Sequence, residues 1–428
     1  MSGTEGTAQA GGRPEPLPGR SQFSFVRLAA GVLLYNASGG VLYAVLPLFE
    51  FQRGGSALLA TLIVGAPLLA TTFGMILWGT LSDRWGRRRE LLAFGVFAQA
   101  AIFLLYPFLG PMPLLIARVG QAFLGASFAL ATTEATEDPH RKPGAGLGGV
   151  SLWGSLGAAL GIVAALPFLG GTRFTPDSPS SVVLFLLLGA LSVASVVFLI
   201  GTGELPRPRS TTPVRAILRF QEGRTVLVLC AATAVISCGN YIVYTLFPLY
   251  VDWAITPQNP FGQGWNSIQQ LAVLSIAAAM GGVIVSPWTG RVVEGDHRRR
   301  LYLVAPLVYA LLWTAYAFVR YYPLVLLIWA LPVYVILSIP LLREISGRTS
   351  GEERGRAVGL WNAAYSLGGL AGTLIAGGLF RGDSSFGPLF LLGAIVDLAA
   401  FGAFLGVPAM ARSSPAHPGG TPRGAKLP

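Results

Sequence analysis

The sequence predicts an all-α integral membrane protein whose twelve transmembrane helices form two pseudosymmetric six-helix bundles. Of its 428 residues, 53% are hydrophobic and only 11% are charged, whereas soluble domains carry about 25% charged residues. So little charge cannot cover a water-facing surface, and so much apolar sequence excludes a disordered chain. The apolar residues fall into twelve runs, each long enough to span a bilayer. The centres lie near residues 37, 67, 99, 123, 157, 192, 238, 278, 310, 334, 368 and 397.

The positive charges predict the topology of these helices. The chain has 30 Lys and Arg residues against 19 Asp and Glu, a formal net charge of +11. With alternating helices, nearly all basic residues fall on one side, and the other side holds Arg53, Arg173, Arg320 and Arg381. This bias follows the positive-inside rule, so both termini are expected in the cytoplasm. It accounts for the basic excess without a nucleic-acid partner.

The same residues indicate where the protein resides. No cleavable signal peptide precedes the first apolar run, because the first 22 residues are polar and rich in Gly and Pro. Lys142 and Lys426 are the only lysines, and such an excess of arginine is typical of a GC-rich prokaryotic genome. We therefore expect a multi-pass protein of the inner or plasma membrane.

Composition shifts divide the chain into two bundles. We expect a first bundle over residues 23–203, a central cytoplasmic loop over 204–224 and a second bundle over 225–410. Residues 1–22 and 411–428 have the composition of disordered tails. Two cysteines, and three histidines that all lie in polar stretches, predict neither a metal site nor a disulfide framework. No cofactor is expected, and no nucleophile–base arrangement suggests an enzyme.

The two halves also match each other as an internal repeat. A constant offset pairs four positions of the first half with four of the second, and a shorter offset aligns the first helices of the two halves. The pairs are Asp83 with Glu294, Arg87 with Arg298, Gly157 with Gly368 and Gly161 with Gly372, and Tyr43 with Tyr244 at the shorter offset. Duplicated bundles with a site between them are the architecture of alternating-access transporters.

The stretch GTLSDRWGRRRELL between helices 2 and 3 resembles the loop signature of the major facilitator superfamily, usually written GxLxDRxGRRxxL. The resemblance implies that this loop gates the cytoplasmic side, with Asp83 against the start of helix 11 and Glu134 paired with Arg87. A plainer alternative is that the basic run only satisfies topology. The candidate gating residues are Gly79, Asp83, Arg84, Gly86, Arg87, Arg88, Glu134, Glu294 and Arg298.

A second family signature, in helix 4, is partly met. Arg118 and Gln121 match it, while Ala122 replaces the usual glycine. The antiporter signature of helix 5 is not met, since Ile162 replaces its proline. The resemblance further implies that helices 1, 4, 7 and 10 line a cavity and that helices 3, 6, 9 and 12 lie outside it.

Polar and aromatic residues in several helices predict a binding pocket near the middle of the membrane. An Arg at the centre of a span costs about 2.5–3.5 kcal/mol, so Arg118 is expected either to face the cavity or to tie helix 4 to carbonyls of helix 1. Polar stripes on helices 1 and 7 either line the pocket or only join helices. The candidate substrate-binding residues are Asn36, Tyr43, Arg118, Gln121, Trp153, Ser237, Asn240, Tyr241, Tyr244, Asn362 and Tyr365.

Two acids are candidates for proton coupling. Asp397 lies near the middle of helix 12, and Glu50 lies at the outer end of helix 1. Ionisable residues inside a membrane often carry protons. The alternative for Asp397 is a carboxyl group hydrogen-bonded to a Tyr or Trp of helix 9.

Together these features predict a secondary active transporter that exports a small amphipathic organic molecule by alternating access, coupled to a proton gradient. An uncoupled facilitator or importer is the first alternative, and a non-transporting sensor or scaffold on the same fold is the second. The expected partners are the small-molecule substrate, membrane lipid and protons, and the expected state is a monomer.

Overall fold

A computed structural model describes residues 18–85, 87–131, 143–169, 178–200, 223–258, 265–293, 297–349 and 354–407. These residues form long helices and, within those ranges, no strand. The helices are α1 Pro18–Gln52, α2 Ala57–Trp85, α3 Arg88–Phe103, α4 Pro111–Gly125, α5 Pro143–Leu169, α6 Pro179–Ile200, α7 Gly223–Tyr250, α8 Ser267–Val292, α9 Arg298–Phe318, α10 Tyr322–Trp329 and Val333–Gly347, α11 Arg354–Leu379, and α12 Phe386–Leu405.

Every predicted apolar run lies in one of these helices, which confirms the predicted fold class. Among the described residues, 11 helices are long and apolar enough to cross a membrane. The remaining helix, α11, spans 26 residues but is rich in glycine and carries Asn362, Ser366 and Thr373. Its crossing of the membrane stays a prediction. At the other end of the chain, α1 begins at Pro18, earlier than the predicted start at residue 23.

Proline and local sequence explain the irregular helices. The two segments of α10 are separated at Pro332, which has no N–H to donate to the preceding turn and therefore interrupts the helix. The C-terminal end of α7 continues as a π-helical turn over Val251–Ile255. Asn266 caps α8 by accepting a 2.8 Å hydrogen bond from the Gln269 N–H, the side-chain capping that helix starts favour.

Each half contains one helix crossing at which two glycines, one turn apart, meet carbonyls of the same facing helix. A Cβ on Gly157 of α5 would lie 2.1 Å from the Leu33 carbonyl of α1, and one on Gly161 would lie 2.0 Å from the Ala37 carbonyl. The second half repeats this between α11 and α7: the corresponding distances are 2.0 Å from Gly368 to the Ala234 carbonyl and 2.2 Å from Gly372 to the Cys238 carbonyl. Only glycine permits backbones to approach so closely. The glycines are the pairs that the sequence repeat aligned.

The halves meet along two helix pairs. One pair is α5 and α8, where Ser151 and Ser286 hydroxyls lie 3.0 Å apart and the Asn266 side chain donates to the Leu169 carbonyl at 3.0 Å. The other pair is α2 and α11. Its contacts lie where α2 begins and α11 ends, close to the outer side that the charge distribution predicts.

Candidate functional site

A cavity of about 1150 Å³ lies between the two halves and is lined by residues of both. Pockets for drug-sized molecules range over about 300–1000 Å³, so this space accommodates a sizeable organic molecule. Near the start of α2, the side chain of Thr373 on α11 fills the space beside Gly65. Farther along, Met75 of α2 and Val358 of α11 both line the cavity. The cavity is therefore closed where α2 begins and α11 ends, and it extends toward the opposite ends of these two helices.

The first half contributes a polar wall with one guanidinium group. Arg118 of α4 donates through Nη1 to the side-chain oxygen of Gln121, one turn further along the helix. The same Gln121 oxygen lies 3.5 Å from the Tyr106 hydroxyl. The Tyr35 hydroxyl of α1 donates to the Gly125 carbonyl at 2.9 Å. The hydrogen bond that ties α1 to α4 thus comes from Tyr35, whereas the bond from Arg118 to Gln121 stays within α4.

The second half contributes an aromatic wall. Its ring centroids lie 5.3 Å apart for Tyr244 and Trp313, and 6.0 Å apart for Trp361 and Tyr365, within the range of favourable aromatic pairs. The rings that line the cavity are Tyr241, Tyr244, Tyr309, Trp313, Tyr316, Trp329, Tyr334, Trp361 and Tyr365. The continuous contact between them gives the cavity a large, rigid apolar face.

Buried polar groups behind the aromatic wall hold its rings in place. The indole N–H of Trp313 lies 2.8 Å from an Asp397 carboxyl oxygen and 3.2 Å from the Asn240 amide oxygen. The Ser237 hydroxyl donates to the Tyr365 carbonyl at 2.6 Å. Asp397 and Asn240 are almost fully buried. Unpaired polar groups are costly at such depth, so these contacts fix the orientation of the wall.

The structure brings most of the predicted binding residues to the cavity. Those that line it are Asn36, Arg118, Gln121, Tyr241, Tyr244, Asn362 and Tyr365. Ser237 and Asn240 lie behind the lining, and Trp153 packs in the apolar cluster around Trp78 instead. The side chain of Tyr43 lies outside the described residues.

The aromatic face of α9 departs from the expectation that this helix lies outside the cavity. Tyr309, Trp313 and Tyr316 line it, because their rings contact Tyr244 of α7 and Trp329 of α10. The signal was present in the sequence, since these three residues recur at i, i+4 and i+7 and so share one helix face. From α3, Gln99 also reaches the lining.

The two candidate acids occupy different surroundings. Asp397 does not line the cavity, but it touches Trp313, which does. This is the hydrogen bond to a helix 9 ring that was the alternative for this residue. Glu50 is fully buried at the end of α1, and within the described residues neither carboxyl oxygen has a hydrogen-bond partner. Both acids could therefore hold a proton, since burial disfavours a bare charge.

Several candidate gating residues lie outside the described part of the chain. They are Gly86, Glu134 and Glu294, together with the side chains of Asp83 and Arg88. Arg84 is exposed, and a Cβ on Gly79 would meet no neighbour within 4 Å. The Arg87 guanidinium lies 3.1 Å from the Glu90 carboxylate in an exposed pair.

The second half contains a buried charge cluster at the corresponding position. Arg298 Nε lies 2.7 Å from one Glu344 oxygen, and Arg348 Nη2 lies 2.7 Å from the other. Glu344 and Arg348 are both buried. Arg298 was a candidate from the sequence, whereas Glu344 and Arg348 were missed. The repeat could have indicated Glu344, because the offset that pairs Arg87 with Arg298 brings Glu134 within one residue of it.

Comparison with known proteins gives the chain a family. The family model described as Major Facilitator Superfamily matches residues 28–339. No curated protein sequence matches the chain. Among solved structures, the nucleoside transporter NupG has a TM-score of 0.68 at 13% identity, and the match covers 90% of this chain and 98% of that one.

Two further solved structures have similar folds. The human organic anion transporter MFSD10 (TETRAN) has a TM-score of 0.67 at 17% identity, and the match covers 91% of this chain and 100% of that one. The POT family transporter PepTSo has a TM-score of 0.66 at 10% identity, with coverages of 89% and 98%. At such low identities these likenesses concern the fold alone.

Proposed function

The chain belongs to the major facilitator superfamily and is a transporter of that family, and on this premise we propose that it moves a small amphipathic organic molecule by alternating access. The observation that carries the proposal is the cavity between the halves, with a polar wall on one side and an aromatic wall on the other. Such a pocket suits a molecule with one polar end and an apolar body. The solved relatives are transporters of nucleosides, organic anions and peptides by their names, so the fold does not choose the substrate.

The decisive experiment is transport by purified protein in liposomes over a panel of amphipathic compounds, with and without a proton gradient. Proton-driven export predicts that inverted, acid-inside liposomes accumulate substrate only while the gradient lasts. Equilibration without accumulation would favour an uncoupled facilitator, an alternative supported by Ile162 at the position of the missing antiporter proline. Binding of panel compounds without any flux would favour a sensor on the same fold.

The contacts between α2 and α11 are the proposed outer gate. A Cβ on Gly377 of α11 would lie 2.4 Å from the Thr61 hydroxyl and 2.8 Å from Leu58 Cδ1 of α2. At Gly65 of α2, an added Cβ would lie 2.2 Å from the Thr373 hydroxyl. Both glycines permit the helices to close against each other. Replacing either glycine by a larger residue is expected to favour the form that is open where α2 begins and α11 ends.

Replacing Gly377 by alanine is therefore expected to shift the population toward the outward-open form, because the new methyl group separates α2 from α11. Gly378→Ala is the matched control, since its Cβ would meet nothing within 4 Å. Spin labels on the outer ends of α2 and α11 would report the distance. Overpacking costs typically about 1–3 kcal/mol, so the ratio of the two forms should change by about fivefold to 150-fold. An equal distance distribution in both variants would contradict the gate.

Asp397 is the proposed coupling acid, since its contact with Trp313 links it to the cavity wall. Asp397→Asn keeps the size of the side chain and an acceptor for the indole but cannot exchange a proton. We expect the variant to bind substrate and to equilibrate it, while gradient-driven accumulation falls to the level seen without a gradient. Liposome flux in both conditions measures this.

Glu50→Gln is the matched comparison for this test. If Asp397→Asn accumulated substrate normally and Glu50→Gln did not, the coupling role would be assigned to Glu50. Normal accumulation in both variants would exclude both acids.

A further inference from the structure

We infer that the cavity takes an amphipathic organic anion, with its carboxylate or similar group at Arg118 and a flat apolar body against the aromatic wall. The inference rests on the proposed function and names the substrate class of that same site. It follows from three observations: the charges of the lining, the unused donors of Arg118 and the position of the aromatic rings.

The charges of the lining are of one sign. Among the described residues that line the cavity, Arg118 and Arg343 are the only charged ones, and no Asp or Glu lines it. Arg343 lies in the second segment of α10, close to its final turns. A guanidinium group in the wall of a cavity, such as that of Arg118, creates a positive potential there. Such a potential attracts an anion and opposes the entry of a cation.

Arg118 has donors to spare for a ligand. A guanidinium group carries five N–H donors, and the Gln121 oxygen accepts from one of its nitrogens. Among the ion pairs of the described residues, none joins a carboxylate to Arg118. The planar fork of a guanidinium matches a carboxylate through two parallel hydrogen bonds. A carboxylate ligand would thus supply a countercharge that the described part of the chain does not place here.

The aromatic wall sets the shape of the rest of the ligand. The rings on this side pack edge to face, with centroids 5.3 Å apart for Tyr244 and Trp313 and 5.6 Å apart for Tyr244 and Trp329. All three residues line the cavity, and an aromatic lining suits a flat apolar group. Aromatic faces also attract cations, and a carboxylate in contact with the ligand would strengthen that attraction. The carboxylate behind this wall, Asp397, is fully buried and bonded to Trp313. It is therefore not placed to contact a ligand cation.

The positions of the two walls also predict how the ligand lies. Arg118 belongs to the first half and the aromatic wall to the second. An aromatic anion would therefore bridge the two halves, with each end held by a different one. A molecule that bridges the halves can stabilise the closed intermediate of the transport cycle by interactions that neither half makes alone.

The test uses three probes of one shape and different charge: naphthalene-2-carboxylate, naphthalene-2-carboxamide and naphthalen-2-ylmethylammonium. Equilibrium dialysis against the purified full-length protein measures their affinities at neutral pH. Hydrogen bonds to charged groups contribute more than neutral ones, and a bidentate pair corresponds to about ten- to hundred-fold in affinity. We expect the carboxylate to bind that much more tightly than the amide, and the ammonium compound to bind most weakly.

Variants of Arg118 assign the effect to this residue. Arg118→Gln should abolish the preference for the carboxylate while it leaves the affinity of the amide unchanged within about threefold. Arg118→Lys should restore part of the preference, because it keeps the charge and loses the fork. Arg381→Gln makes the same charge change at an exposed position outside the cavity and should retain the full preference. Size-exclusion profiles establish that each variant is folded.

Two outcomes would overturn the inference. One is binding of the amide or the ammonium compound as tight as that of the carboxylate, and the other is no binding of the carboxylate by folded protein. Flux measurements in liposomes separate this inference from the proposed function. Selective binding without flux would contradict transport and leave the anion site intact, whereas flux of the ammonium compound would support transport and refute the anion site.

Discussion

Glu344→Gln is expected to destabilise the protein by about 3–5 kcal/mol, because it removes the anion that compensates two arginines in a buried cluster. The Glu344 carboxylate lies 2.7 Å from both Arg298 and Arg348. A neutral amide keeps the shape but leaves Arg348, which is buried, without this countercharge. The apparent melting temperature in detergent and the unfolding free energy in denaturant both measure the loss.

Glu90→Gln is the matched control for this change. Glu90 pairs with Arg87 across 3.1 Å, but both side chains are 68% exposed. Exposed pairs contribute about 0–1 kcal/mol, so this variant should melt close to the wild type. If the two variants lost equal stability, burial would not determine the strength of these pairs, and the cluster would not anchor this end of the second half.

Gly368→Ala is expected to cost at least about 1–3 kcal/mol, the typical penalty of overpacking. The added methyl group would lie 2.0 Å from the Ala234 carbonyl oxygen of α7, and a backbone atom cannot turn aside as a side chain can. The two helices must separate, which disturbs Tyr241 and Tyr365 on the facing parts of the aromatic wall. Thermal stability and substrate affinity should therefore fall together.

The same helix offers a control for this substitution. A Cβ on Gly359 would meet nothing within 4 Å, and alanine favours a helix over glycine by about 1 kcal/mol. Gly359→Ala should thus keep or slightly raise stability. If the Gly368→Ala protein had the same melting temperature as the wild type, α7 and α11 would not pack as closely as described.

The architecture could be predicted because long apolar runs and their flanking charges are local properties of a sequence. The repeat added more: it aligned Gly157 with Gly368 and Gly161 with Gly372, and the structure gives each pair the same packing. What could not be predicted were the close approaches themselves, since a sequence contains no distance between a glycine and a carbonyl on another helix.

The candidate site shows the same division between local and tertiary information. Arg118 could be singled out, because a charge in an apolar span is unusual wherever it points. The roles of Asn240 and Ser237 could not be predicted, because a polar side chain on a helix face can line a cavity or support its wall. Glu344 and Arg348 were missed, because charges near a membrane surface are first explained by topology.

The glycine crossings have a consequence for how the protein moves. A carbonyl that packs directly against the α-carbon of a glycine cannot slide along the helix without meeting the side chains of the next turn. This contact fixes the register of α1 against α5, and that of α7 against α11. Between the halves, the atoms nearest to Gly65 and Gly377 belong to side chains and not to backbone carbonyls, so these contacts do not lock α2 and α11 in register. Hinge motion should therefore be confined to the boundary between two stiff bodies, and isotope exchange of backbone amides should be slowest along the two locked crossings.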